Sequence, residues 1–179
     1  SDTHGAFPEL HYWINTVVHS GDFFPNFTMQ SPAHEAESQE RWLIHHLDII
    51  KNWLQNKDFL FCLGNHDFLN PERMENILRS HGIVAHHLTE KVVQCQGLNF
   101  YGFPYIPPLN GRWNYELPPA LMYQRMNALV DTLNSQYIDV LVTHSPAGGI
   151  LDYCHAQNQH FGNTALLNAL EYKIARDML

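Results

Sequence analysis

The stretch Asp58-Phe59-Leu60-Phe61-Cys62-Leu63-Gly64-Asn65-His66-Asp67 decides the fold, because an apolar run ends here abruptly in polar residues. The run from Asp58 to Leu63 is too short for a typical helix and predicts a buried strand of an α/β protein. The turn that follows carries side chains that can bind metal or transfer protons. Ligands bind beyond the carboxyl ends of strands in open α/β sheets, so this turn is a candidate site.

Helix and strand signals alternate on both sides of this stretch, which favours an α/β fold. Ser31-Pro32 predicts a helix start, with serine as the N-cap and proline at the first helical position. The other predicted elements are an apolar helical stripe of Leu43, Leu47, Ile50 and Leu54, a helix after Asn70-Pro71, a hairpin of residues 91–95 and 98–101, a helix from Pro119 to Asn134, a strand over residues 138–142 and a helix from Asn163-Thr164.

A long proline-rich loop is predicted over residues 103–119, since repeated prolines exclude continuous regular structure. The loop contains the aromatic residues Tyr105, Trp113 and Tyr115. These rings could stack on a nucleobase or could pack against the protein core. Long ordered loops are often functional, which keeps both alternatives open.

Composition limits the classes of function. The chain has 179 residues and a formal net charge of −8, from 10 Lys and Arg against 18 Asp and Glu. The length predicts a single domain over residues 1–179. The negative charge argues against long nucleic acid and anionic membranes as partners, and no apolar run reaches the roughly 20 residues of a membrane helix. Three widely spaced cysteines favour a reducing compartment, and with no export signal we expect a cytoplasmic protein.

Four polar clusters follow predicted strands or stand where a strand should end: Asp2-Thr3-His4, Gly21-Asp22, Gly64-Asn65-His66-Asp67 and Thr143-His144. Carboxylate, imidazole and amide donors of this kind suit two divalent cations such as Mn, Fe, Zn or Ni. Such a pair clamps a phosphoryl group and activates water. The candidate metal ligands are Asp2, His4, Asp22, Asn65 and His144, with Asp22 shared between the two ions.

The candidate catalytic residues are His66 and Asp67. The reference pKa of histidine lies near neutral pH, so His66 could protonate the leaving alkoxide. Asp67 could hold the His66 imidazole in the required tautomer.

Together, the motifs Asp-x-His, Gly-Asp, Gly-Asn-His-Asp and a later His resemble the calcineurin-like metallophosphoesterase superfamily. Four stretches are most similar to the small brain-type metallophosphodiesterases and their bacterial relatives. They are residues 1–5, residues 19–23, the segment Leu98-Asn99-Phe100-Tyr101-Gly102-Phe103-Pro104-Tyr105, and residues 143–152. Gly-Asp alone is common in turns, whereas all four motifs in this order are a specific pattern.

The resemblance implies a two-sheet β-sandwich flanked by helices. It implies that Asp2 and His4 bind the first metal, that Asp22 bridges both metals, that Asn65 and His144 bind the second, and that His66 is the general acid. Manganese is the favoured metal. The implied activity is metal-dependent hydrolysis of phosphate esters, chiefly phosphodiesters, with a small substrate that could be a nucleotide. The oligomeric state is not indicated.

Two departures from the family pattern concern the ends of the chain. No Gly-His pair occurs in the sequence, although the superfamily completes its site with a Gly-His-x-His element. The family's first strand would precede Ser1. The chain is therefore expected to be truncated at both ends, and this polypeptide to bind metal weakly and turn over slowly.

Three alternatives remain open. A protein phosphatase or another phosphomonoesterase of the same superfamily is one, but phosphatases carry Asp-Arg-Gly soon after Gly-Asp, and Phe23-Phe24-Pro25 stand there instead. A non-catalytic scaffold that kept the fold and lost its metals is the second. A DNA nuclease is the third, and the absence of any Lys and Arg cluster argues against it.

Overall fold

The computed structural model of the protein describes residues 1–27 and 30–177, and the side chains up to residue 173 within that range. The elements are, in chain order, β1 (Thr16–His19), α1 (Pro32–Leu54), β2 (Asp58–Phe61), α2 (Pro71–Ser80), β3 (Ala85–His87), β4 (Val92–Cys95), β5 (Leu98–Phe103), α3 (Pro119–Ser135), β6 (Val140–Thr143), β7 (Tyr153–Cys154), β8 (Gln159–His160) and α4 (Thr164–Asp177).

Two three-stranded sheets form the centre of the protein. The first has the order β1-β2-β3 and is parallel throughout, with Phe59 opposite Val17 and Ala85. The second has the order β4-β5-β6, in which β4 and β5 are antiparallel and β5 and β6 are parallel. Strands β7 and β8 pair only with each other.

Side chains alternate between the faces of each strand, and this alternation produces three packed layers. Phe59 and Phe61 of β2 lie in a core formed with α1 and α2, whereas Leu60 lies in the core between the two sheets. On the far side, Tyr101 and Phe103 of β5 pack against α3 and α4. The layer order of helices, sheet, sheet and helices confirms the predicted sandwich.

The predicted helices are confirmed, and α1 and α2 start at the expected caps. The Ser31 hydroxyl accepts a hydrogen bond from the His34 backbone N–H at 3.2 Å, and Asn70 Oδ1 accepts one from the Arg73 N–H at 3.0 Å. Each cap satisfies a backbone donor that has no partner inside the helix.

Strand boundaries differ from the prediction. The strand predicted over residues 58–63 ends at Phe61, the strand predicted over 138–142 is Val140–Thr143, and the β7–β8 hairpin was not predicted. Hydrophobic residues indicate burial but not backbone pairing between strands. A prediction from hydrophobicity therefore extends a strand into buried residues that have no paired neighbour. The single-domain assignment over residues 1–179 stays a prediction.

Among the described residues, no helix combines the length and the hydrophobicity needed to cross a membrane.

Candidate metal centre

The four polar clusters meet at the carboxyl ends of β1, β2 and β6. The segment from Asp2 to Gly5 runs beside residues 21–23, where the Asp2 N–H donates to the Gly21 carbonyl at 2.8 Å and the His4 N–H donates to the Asp22 carbonyl at 3.0 Å. These backbone bonds bring the first cluster alongside the second. Parallel strands β1 and β2 end at the same edge of the first sheet, which brings Asp22 and the turn over residues 64–67 together.

His19, the last residue of β1, fixes this junction further. Its Nδ1 accepts the Gly21 N–H at 3.3 Å, so the proton lies on Nε2, which donates to Thr3 Oγ1 at 2.9 Å. Burial lowers the pKa of His19 to about 3. The ring is therefore neutral near pH 7 and acts as a link between two loops.

His144 shows most directly that the site suits a cation. Its Nδ1 lies 3.0 Å from the Ser20 carbonyl oxygen, which can only accept, so Nδ1 carries the proton of the neutral ring. Its Nε2 lone pair then faces Asn65 Oδ1 at 2.8 Å and Asp22 Oδ1 at 3.4 Å. Three electron-pair donors facing one another repel unless a cation or proton lies between them.

His4 and His66 repeat this arrangement on the other oxygen of Asp22. His4 Nδ1 lies 3.3 Å from the Phe24 carbonyl, and His66 Nδ1 lies 2.5 Å from Asn26 Oδ1. Their Nε2 atoms are consequently free to bind, and they lie 3.8 and 3.9 Å from Asp22 Oδ2. Three imidazoles thus direct Nε2 toward a single buried carboxylate.

Two groups of metal-binding side chains share Asp22. One contains His4, Asp22 and His66, and the other contains Asp2, Asp22 and His144, with the ligand atoms of each group within 4.8 Å of one another. Asp22 is the member common to both groups, and its bridging of two metals stays a prediction. The division of the other ligands differs from the prediction, since Asp2 groups with His144 and not with His4.

The backbone around the site is strained. Asp2, His4 and Asp22 all have left-handed φ angles, of 56°, 45° and 56°. Non-glycine residues adopt this region at some cost, and such residues cluster at functional sites.

Two glycines allow the loops to approach closely. A Cβ on Gly21 would lie 2.8 Å from the Gly64 Cα, and a Cβ on Gly64 would lie 2.5 Å from the Asp22 backbone nitrogen. Both are closer than real Cβ contacts, so glycine is needed at both positions for the Gly-Asp turn to pack against the Gly-Asn-His-Asp turn.

Asp67 does not hold the His66 imidazole, and this part of the prediction is wrong. The Asp67 carboxylate is fully buried and accepts backbone N–H groups from Phe23 at 2.9 Å, Phe24 at 3.1 Å and Gly64 at 2.8 Å. Burial, only partly offset by these bonds, raises its pKa to about 6. Asp67 therefore ties the two turns together, and Asn26 takes the place predicted for it beside His66.

The His66 side chain is 22% exposed and lines the cavity. Burial lowers its pKa, and the nearby Asp22 carboxylate works in the opposite direction. The His66 backbone N–H donates to Asp22 Oδ1 at 2.9 Å, so the position of the main chain is coupled to the shared carboxylate.

Gln39 of α1 holds the turn from behind and was missed by the sequence analysis. This fully buried side chain donates from Nε2 to the His66 carbonyl at 2.7 Å and accepts at Oε1 from the Phe68 and Leu69 N–H groups at 2.7 and 3.0 Å. A signal was available, because Gln39 stands four residues before Leu43, on the apolar stripe of the helix. A polar residue on such a stripe needs a buried partner.

The candidate ligands and His66 line a cavity of about 740 Å³. Its polar floor is formed by the candidate ligands and His66, and its walls include Ile106, Trp113, Pro146 and Phe161. None of the described residues that line it is a lysine or an arginine.

Comparisons with known proteins agree with this geometry. The chain is 27% identical, over 192 aligned residues and 97% of its length, to human metallophosphoesterase domain-containing protein 1, and equally to the mouse protein of that name. The chain spans about half the length of these curated relatives, at 55%. A solved crystal structure with 12% sequence identity aligns with a TM-score of 0.63, over 90% of this chain and 70% of the other, and shows the same fold.

A family model for the calcineurin-like phosphoesterases matches residues 1–174, which include every candidate ligand. Divalent metal ions and phosphoester hydrolysis are general properties of this family. With its two-sheet fold and its converging donors, the chain belongs to the calcineurin-like phosphoesterase family.

Proposed function

We propose that the protein hydrolyses small phosphodiesters with the help of two divalent cations, manganese being the favoured metal. The cations would be held by Asp2, His4, Asp22, Asn65 and His144. The observation that supports this most strongly is the convergence of the His4 and His144 Nε2 atoms on the two oxygens of buried Asp22, at 3.8 and 3.4 Å. When bound, such cations neutralise phosphoryl charge and make water a stronger nucleophile.

In the proposed reaction, the oxygen of a water molecule forms a new bond to phosphorus and the P–O bond to the leaving group breaks. The departing oxygen takes a proton from His66 Nε2. Asn26 holds Nδ1 of the same ring, which leaves Nε2 directed at the cavity. An anionic diester beside Nε2 favours the protonated imidazole, the form that this role requires.

The lining of the cavity supports a diester over a monoester. A phosphodiester carries one negative charge near pH 7, whereas a monoester carries close to two. Among the described lining residues no lysine or arginine is present to balance a second charge. The apolar walls offer space for ester groups on both sides of the phosphorus, and the net charge of −8 argues for a small substrate over long nucleic acid.

The test is hydrolysis of bis-p-nitrophenyl phosphate and p-nitrophenyl phosphate by manganese-loaded protein, with metal content measured in parallel. We expect a preference for the diester and a loss of about 10²- to 10⁴-fold in His66→Ala, with no comparable loss in the exposed control His45→Ala. Asp22→Asn should retain less metal than the exposed control Asp131→Asn. A metal-loaded protein that cleaves neither ester would refute the proposal, and a preference for the monoester would refute its diester part.

A further inference from the structure

Of Tyr105, Trp113 and Tyr115 in the long loop, only Trp113 lines the cavity. Tyr105 is buried in the core beneath β5 and donates its hydroxyl proton to Glu90 at 2.9 Å. Tyr115 packs 5.8 Å from the Tyr105 ring, measured between centroids, and is also part of the core. Trp113 instead lines the cavity, and its ring centroid lies 4.0 Å from that of His66 at an interplanar angle of 34°.

An internal carboxylate shapes the loop that carries Trp113. The base of the loop is closed by two backbone bonds, from the Ile106 N–H to the Tyr115 carbonyl at 3.0 Å and from the Leu117 N–H to the Ile106 carbonyl at 3.1 Å. Inside it, the Glu116 carboxylate accepts the backbone N–H groups of Leu109 at 3.2 Å, Asn110 at 3.3 Å, Gly111 at 2.6 Å and Trp113 at 3.2 Å. Four N–H groups on one carboxylate fix the path of the chain up to Trp113.

The residue after Trp113 is hydrogen-bonded to the turn over residues 64–67. The Asn114 N–H donates to the Asn65 carbonyl at 3.0 Å, and Asn114 Nδ2 donates to the Asp67 carbonyl at 2.6 Å. Trp113 therefore stands between the carboxylate of Glu116 and an anchor on the turn that bears His66. Its half-buried indole is held beside the imidazole and still faces the cavity.

We propose that Trp113 is the platform for a planar aromatic leaving group and that Glu116 is the residue that positions it. This inference rests on the proposed function, in which His66 protonates the leaving oxygen. A group bonded to that oxygen must lie next to the His66 ring, where the indole of Trp113 is already in contact. Stacking on an indole favours a planar group over a bulky tetrahedral one, because only a flat face makes full contact.

The test compares two methyl phosphodiesters with acidic leaving groups of different shape. One releases p-nitrophenolate, which is planar, and the other releases hexafluoroisopropoxide, which is not. We expect Trp113→Ala to lose roughly tenfold more kcat/KM for the aryl diester than for the fluoroalkyl diester. Trp113→Phe, which keeps a flat ring, should retain most of the selectivity, and Trp13→Ala at an exposed tryptophan should retain all of it.

Glu116 is tested by its coupling to Trp113. Glu116→Ala should reduce the aryl preference as Trp113→Ala does, and the double variant should lose no more than either single variant, since both changes remove the same contact. Equal losses on the two substrates, or an unchanged preference in Glu116→Ala, would overturn this inference alone. No turnover of either diester by the metal-loaded wild-type protein would overturn the proposed function, and the inference with it.

Discussion

Replacing Gln39 with methionine should remove the side-chain hydrogen bonds that hold the turn around His66, while keeping most of the packing of this side chain. Gln39 is fully buried and makes three hydrogen bonds to backbone groups of the turn, at 2.7, 2.7 and 3.0 Å. Methionine has similar length and flexibility and fills irregular space in cores. The change in stability of Gln39→Met therefore reflects mainly the loss of these hydrogen bonds.

The size of the effect follows from the groups left without a partner. Loss of Gln39 leaves the His66 carbonyl and the N–H groups of Phe68 and Leu69 unpaired, and each buried unpaired group costs about 1–3 kcal/mol. Partial relaxation of the turn toward solvent reduces the sum. We expect Gln39→Met to lower the free energy of unfolding by about 3–5 kcal/mol.

The assay is urea denaturation of the metal-free protein, because bound metal would stabilise the native state and mask the difference. The matched control is Gln124→Met in α3, an exposed helical position, where we expect a change within about 0.5 kcal/mol. A loss below about 1 kcal/mol in Gln39→Met, with an unchanged urea slope, would show that the turn does not depend on this side chain.

Two further predictions concern histidines. Asn26→Ala should lower kcat by about tenfold, the equivalent of one hydrogen bond to His66. Asn26→Asp should retain more activity because it keeps a hydrogen-bond acceptor for His66 Nδ1. An equal kcat in Asn26→Ala and wild type, measured at saturating bis-p-nitrophenyl phosphate, would contradict the orienting role of Asn26. Burial, aided by Lys91 and opposed by Glu75, lowers the pKa of His87, whose Nδ1 is buried without a partner. Because the unfolded chain then takes up a proton below about pH 6.5 that the folded protein does not, the contribution of His87 to stability should fall as the pH drops from 7 to 5, whereas Asp67, with its raised pKa, contributes in the opposite direction. His87→Phe should flatten that fall in urea titrations at the two pH values, and an unchanged pH dependence would count against this explanation.

The local sequence was sufficient to predict most elements, because their signals act over a few residues. Ser31 and Asn70 mark helix starts through caps that lie three residues from their partners. The continuous apolar run from Phe59 to Leu63 indicates a strand buried on both faces. Strand ends were predicted less well, since a ladder depends on a neighbour that the local sequence does not contain.

The candidate ligands could also be predicted from the sequence, because each one carries a metal-binding donor and belongs to a short polar cluster of the recognised motif order. Which side chains contact one another could not be predicted from the sequence. His66 lies next to Asp67 in the chain, yet its Nδ1 contacts Asn26, while the Asp67 carboxylate turns inward to backbone groups. Successive residues of a tight turn point in different directions, so adjacency in sequence does not imply contact.

The sequence by itself therefore determined the fold class and the helices and supplied the candidate metal ligands, all of which depend on residue type and short-range spacing. Only the tertiary structure decided which candidate ligands lie close together around Asp22, that Gln39 supports the turn, and that Trp113 and not Tyr105 faces the cavity. The physical reason is that these contacts join residues tens of positions apart, and packing of the two sheets sets the distances between them.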